Sequence, residues 1–170
     1  MSRTNRFNRI AAFAGVAVLG AAAHAGIEGD DCGSAIEIMP NTSYAFDTSI
    51  MNPSFVAGSD SQCPGTFLSW FSSQRDVWYT WTPDSDSSVL FTTCDTSSYD
   101  TSIIIYEGGC TTADQIACNG DASSDAGCQQ FHASVLVDVT AGSTYYMRIG
   151  GYKGDVGTGT FSADVCEGNT

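Results

Sequence analysis

The chain of 170 residues carries nineteen acidic against six basic side chains, a formal charge of −13, together with seven cysteines and 42% hydrophobic residues. A balance this negative repels phosphate backbones, because nucleic-acid affinity comes from Lys and Arg neutralising phosphates, so DNA, RNA and anionic membranes are poor partners. Its aromatic and β-branched content is too high for an acidic disordered chain.

The first element in chain order is an address. Arg3, Arg6 and Arg9 form a positive n-region, Ile10 to Ala23 an apolar stretch, and Ala23-His24-Ala25 a small-x-small cleavage site. A membrane span needs about 20 apolar residues, and this stretch is shorter. Residues 1–25 therefore read as a secretory signal, cleaved before Gly26, and residues 26–170 as one domain in a secreted or periplasmic protein. Three of the six basic residues leave with the signal, so the mature chain sets three against nineteen, a formal charge of −16.

Short period-two runs follow, separated by Gly, Asp, Ser and Cys clusters. Alternation at that spacing belongs to strands, whose successive side chains point to opposite faces. Strands are expected at 35–39, 43–47, 76–82, 89–94, 102–106, 133–139, 144–150 and 160–165. Residues 52–73 read as a long surface loop with a short strand near 67–71. Four inward rows are predicted: Val77, Tyr79 and Trp81; Ala133, Val135, Val137 and Val139; Tyr145, Met147 and Ile149; and Phe161, Ala163 and Val165. A one-residue slip would turn each row outward. The fold class is all-β: an antiparallel two-sheet sandwich, jelly-roll-like, of about eight strands. The run Gly150 to Gly159 has no helix behind it to receive a phosphate and reads as a wide hairpin turn.

The seven cysteines all lie beyond the cleavage site, which in an exported chain points to disulfides. Sequence does not fix their connectivity. The expected pairs are Cys110 with Cys118, closing a short loop worth about 2–3 kcal/mol, Cys32 with Cys166, tying the two ends together, and Cys94 with Cys128. Cys63 is then left over, free to link two chains as a disulfide dimer.

Catalysis has little to stand on. His132 is the one histidine of the mature chain, expected to face solvent, and neither a G-x-S-x-G elbow nor an H-E-x-x-H helix is present. No catalytic residue is assigned and no enzyme activity is expected. A hard cation has more to recommend it. Asp100, Asn119, Asp121 and Asp125 crowd two loops with the oxygens calcium takes, although their spacing is not that of an EF-hand; the same residue types also serve as turn formers. Aromatic residues outside the inward rows (Trp70, Phe71, Trp78, Tyr99, Tyr106, Tyr146, Tyr152) suit either a sugar-stacking surface or a second packed face. Trp70, Tyr99 and Tyr152 are the ligand-contact candidates.

Taken in order, DCGSAIEI, AFDTS, DVWYTWTP, FTTCDTSSYDTSIIIYEGGC, IACNGD and TAGSTYYMRIGGYKGDVGTGTF resemble the secreted β-sandwich modules related to bacterial pre-peptidase C-terminal domains, found in planctomycete-type surface proteins. The strongest elements are D-V-W-Y-x-W, Y-D-T-x-I-x-I-Y and T-A-G-x-x-Y-x-x-R-I-G-G, and the resemblance runs from about Asp31 to Val165. It implies a jelly-roll-like accessory module that anchors to polymers or cell surfaces, with calcium, where held, at Asp100 and the 119–121 segment. The expected function is a non-enzymatic extracellular binding or adhesion module, its ligand a glycan or matrix polymer or a surface protein. The alternative is a structural cell-surface component that assembles through strand edges or a spare cysteine.

Overall fold

The computed structural model describes residues 26–54, 63, 68–70, 74–95, 99–122 and 128–166. The expected strand at 67–71 lies partly outside these; Leu68 to Trp70 form no strand. The described residues hold eleven strands: β1 (Ile36–Glu37), β2 (Ser43–Asp47), β3 (Pro53–Ser54), β4 (Gln74–Arg75), β5 (Val77–Trp81), β6 (Ser87–Thr92), β7 (Thr101–Glu107), β8 (Gln115–Asn119), β9 (Ser134–Val139), β10 (Tyr145–Gly151) and β11 (Thr158–Val165). They build a five-stranded sheet in the order β1-β5-β10-β7-β8 and a four-stranded sheet in the order β2-β11-β6-β9, with β3 and β4 as a small third pair. Pairing is antiparallel except where β1 runs parallel to β5.

All four predicted rows point between the two sheets, where alternation places them. Val77, Tyr79 and Trp81 of β5, Tyr145, Met147 and Ile149 of β10, Val137 and Val139 of β9 and Phe161 and Ala163 of β11 are buried in one cluster, with Val135 and Val165 against its margin. Tyr79 and Phe161 stack across the sheets, centroids 4.8 Å apart.

The outer face of the five-stranded sheet is also covered. Trp78, Ile104 and Tyr106 point away from the central core, yet each is fully buried, in a second cluster with Leu68, Cys63 and Cys118. Trp78 and Tyr106 stack at 5.4 Å. The segment read as a surface loop thus contributes Cys63, Leu68 and Trp70 to a second hydrophobic layer. It is also tied down by charge: Arg148, on the outer side of β10, bonds Asp76 through Nε at 2.6 Å and Ser54 Oγ at 2.8 Å. Asp76 accepts further bonds from Ser54 Oγ and from Trp78 Nε1, both at 2.9 Å. The guanidinium lies between the rings of Trp70 and Trp78, 4.7 and 5.2 Å from their centroids. Burial pushes the Asp76 carboxyl up, to about 6, against the opposing pull of Arg148, Ser54 and Trp78.

Three disulfides join Cys32 to Cys110, Cys63 to Cys118 and Cys94 to Cys128, and Cys166 is free and exposed. The last bridge coincides with the expected pair; the other two correct the sequence reading. Cys118 stands opposite Ile104 in the β7–β8 ladder, while Cys110 lies past the hairpin end, so the two cannot reach each other. Both instead close over the second cluster, whose margin includes Cys32 and Cys110. Cys32 is not paired with Cys166, because its bond goes to Cys110 on the margin of the second cluster. A dimer bridged through Cys63 is likewise ruled out by its bond to Cys118.

The glycine run needs a further correction. Gly150 and Gly151 end β10 in one sheet and Gly159 lies in β11 of the other, so the run crosses between sheets rather than forming a hairpin. Here glycine is required for close approach. A Cβ at Gly150 would stand 2.8 Å from the Trp70 ring, and one at Gly151 would strike Tyr99 at 2.5 Å.

Candidate binding cavity

One end of the five-stranded sheet carries a cavity of about 190 Å³ lined by Asp100, Asp121, Phe131 and Tyr152. Backbone bonds bring these four together. The Tyr152 N–H donates to the Asp100 carbonyl at 3.1 Å, extending the β10–β7 ladder by one rung. The Thr101 N–H donates to the Phe131 carbonyl at 3.0 Å, and the Ala122 N–H to the His132 carbonyl at 2.7 Å. The turn bearing Phe131 is held from below by the Cys94–Cys128 bridge and by Thr93, whose Oγ1 accepts from the Ala133 N–H at 3.1 Å and lies 2.6 Å from Thr101 Oγ1. At φ 70° Phe131 takes a left-handed conformation unusual for an aromatic residue, and the residue is 47% exposed.

Carboxylates dominate the electrostatics. Burial pushes the Asp100 carboxyl up to about 6, helped by the charges of Asp121 and Asp155 and opposed by His132. Among the described lining residues none carries positive charge. Lys153 lies just outside, its Nζ 5.0 Å from the centroid of the Tyr152 ring.

The structure separates the candidates named from the sequence. Asp100, Asp121 and Tyr152 share the cavity. Asn119 does not line it: its Oδ1 accepts from the Ser134 N–H at 3.1 Å, pinning β8 to β9 across the sheets. Asp125 lies outside the described residues. Among those residues no group of three or more His, Cys, Asp or Glu side chains is arranged to hold a metal ion. Trp70 packs on Arg148 rather than into the cavity. Tyr99 bonds Thr48 Oγ1 at 2.8 Å and meets the Phe46 ring edge-on, and burial raises its phenol well above the usual range. Both are half-buried, Tyr99 against the central core and Trp70 against the second cluster. His132 reverses the expectation of solvent exposure. It is 2% exposed, and its Nδ1 accepts from the Asp95 N–H at 3.4 Å, because the turn before β9 folds the imidazole under the Asp95 backbone.

Phe131 was missed by the sequence reading. Only its phase marks it, since it continues the Ala133–Val139 row by one step and should turn inward; the left-handed turn exposes it instead. Asp155 was missed too, being remote in sequence and near Asp100 only because the crossing segment returns there.

These features define a class: a disulfide-stapled, two-layer β-sandwich with a small acidic and aromatic cavity at one end. Three disulfides fit an oxidising, extracellular compartment, and no helix among the described residues is long and apolar enough to cross a membrane. Among solved structures the chain is similar to the pre-peptidase C-terminal domain of a collagenase from Bacillus anthracis, at 12% identity and a TM-score of 0.48, covering 76% of this chain and 94% of that one. No protein-family model and no curated protein sequence matches the chain.

Proposed function

We propose that this is a non-enzymatic extracellular binding module whose ligand is a glycan, seated in the cavity of Asp100, Asp121, Phe131 and Tyr152. One observation supports the reading above the others: two carboxylates and two aromatic rings from four separate segments converge on one concavity. Carboxylates accept hydrogen bonds from sugar hydroxyls, and an aromatic ring offers its face to the apolar side of a pyranose, the combination of apolar wall and placed polar groups that binding cavities use. The volume is below the ~300–1,000 Å³ of drug-sized sites, so a single sugar unit or chain end is engaged.

The test is a glycan array probed with the mature chain and with Tyr152→Ala. The module retains a subset of glycans, and Tyr152→Ala weakens retention at least about tenfold, in keeping with loss of a stacking face. Retention of no glycan, or binding indifferent to Tyr152→Ala and instead lost with Trp70→Ala, would overturn the proposal.

A further inference from the structure

We infer that the second hydrophobic layer binds a structural water molecule beside Gly150, held by Trp70 Nε1, Gln74 Oε1 and Ser102 Oγ. The site shares no lining residue with the cavity described above and stands whether or not that cavity takes a glycan. All three atoms are buried, and none has a hydrogen-bond partner. Gln74 and Ser102 are buried as whole residues, at 1% and 0% exposed. Buried polar atoms in folded proteins are nearly always satisfied, so three orphans at one place call for a common partner.

Register and close packing bring the three together. Ser102 has the phase of Ile104 and Tyr106, which sets it on the outer face of β7, and it stands opposite Gly150 in the β7–β10 ladder. Glycine there lets two side chains of the cover come down onto the sheet. A Cβ at Gly150 would stand 2.8 Å from Trp70 Cζ2 and 3.3 Å from Gln74 Cγ. Cζ2 and Nε1 are bonded to the same ring carbon, so the indole N–H lies along the ring edge that meets Gly150. The Gln74 amide is held by its nitrogen: Nε2 donates to the carbonyls of Arg75 and Gly151, both at 3.3 Å. Those two bonds fix which end of the amide is oxygen and leave Oε1 unused.

The chemistry of the three atoms selects the ligand. The indole N–H only donates, the amide oxygen only accepts, and the serine hydroxyl does either. A cation finds nothing to accept at the indole N–H, and an anion is refused by the amide oxygen. Water accepts from Trp70, donates to Gln74 and completes a third bond with Ser102, in keeping with the about 3 bonds a buried water makes. It joins the edge of the Trp70 ring to β4 and β7, while the Arg148 guanidinium holds the face of that ring at 4.7 Å.

The experiment measures magnetisation transfer from water to the Trp70 indole proton in the isotope-labelled mature chain, that signal being identified by its loss in Trp70→Phe. A water held for nanoseconds or longer gives NOE and ROE cross-peaks of opposite sign at this proton, whereas simple proton exchange gives the same sign in both. The opposite-sign pair is expected on the unaltered chain and persists in Ser102→Ala, since two partners still hold the water. Its absence from the unaltered chain would overturn the inference. So would its loss in Ser102→Ala, which would trace it to the serine hydroxyl exchanging with solvent. Should that variant fail to fold, a crystal structure of the unaltered chain decides: one water oxygen within hydrogen-bond distance of all three atoms supports the site, and a direct bond between any two of them contradicts it.

Discussion

Replacing Arg148 with Met is the sharpest perturbation of the second hydrophobic layer. Arg148 and Asp76 are both 0% exposed, and the guanidinium spends its donors on Asp76 and Ser54 while lying between two indole rings. Met keeps much of the packing between the indoles and removes the charge. Asp76 then retains bonds from Ser54 and Trp78 with no opposite charge to balance it. Removing one partner of a buried pair costs about 3–5 kcal/mol, a large part of a total stability of roughly 5–15 kcal/mol. At about 2–4 °C per kcal/mol for a domain of this size, the melting midpoint falls by roughly 6–20 °C. Urea titration followed by tryptophan fluorescence reads the same loss, since Trp70 and Trp78 flank the site. The control is the pair Asp76→Leu with Arg148→Met, which leaves no buried charge and should cost less than the two single changes added together. A cost below about 1 kcal/mol for Arg148→Met, or strict additivity in the double variant, would refute the assignment of Arg148 and Asp76 as one coupled unit.

Stability should fall as pH rises through about 4 to 6.5, because Asp76 and Asp100 both have folded-state values raised to about 6 above the usual carboxylate range. Groups raised in this way hold more protons folded than unfolded, so their contribution is present below about pH 4 and lost through about pH 6; a midpoint that climbs across that interval would contradict it, and Asp100→Asn should flatten part of the slope. Changing Cys63 and Cys118 together to Ala opens a loop spanning 55 residues and costs up to about 4 kcal/mol by loop-closure entropy, with Trp78 emission shifting to the red as its cover loosens. The native, unreduced chain exposes one reactive thiol, Cys166, and labelling of Cys63 in its place would contradict the bridge map. Chelation leaves the melting midpoint where it was, since among the described residues only two carboxylates of the expected calcium set share a site and the Asn119 amide oxygen is already engaged by Ser134; a marked drop would support a calcium site.

Strands whose inward rows alternate cleanly were legible in the sequence, and β2 was placed at its observed limits because SYAFD sits between turn residues on both sides. The β8 strand was not, since Gln115, Ile116 and Ala117 give no alternating row, and Ile116 in fact points outward at 44% exposure. Nor was the second hydrophobic layer, although it left a trace: Trp78, Ile104, Tyr106 and Tyr146 fill the phase that a one-sided sheet leaves polar. A strand apolar in both phases is covered on both faces. The lone Arg148 in such a strand, opposite Trp78 in register, marks where the cover is pinned. Disulfide pairing depended on that layer and could not be read before it. Three of the four described lining residues, Asp100, Asp121 and Tyr152, were visible as candidates. Their meeting was not, because it depends on where a turn, a crossing segment and the end of a sheet happen to come together.

The most direct measurement of the central claim is a titration of the isotope-labelled mature chain with a glycan retained on the array, followed by amide chemical shifts. Binding in the cavity predicts that the signals that move belong to Asp100, Thr101, Asp121, Phe131 and Tyr152, with the Trp70 and Trp78 indole signals unmoved. Shifts gathered around Trp70 and Arg148, or none at saturating sugar, would contradict it.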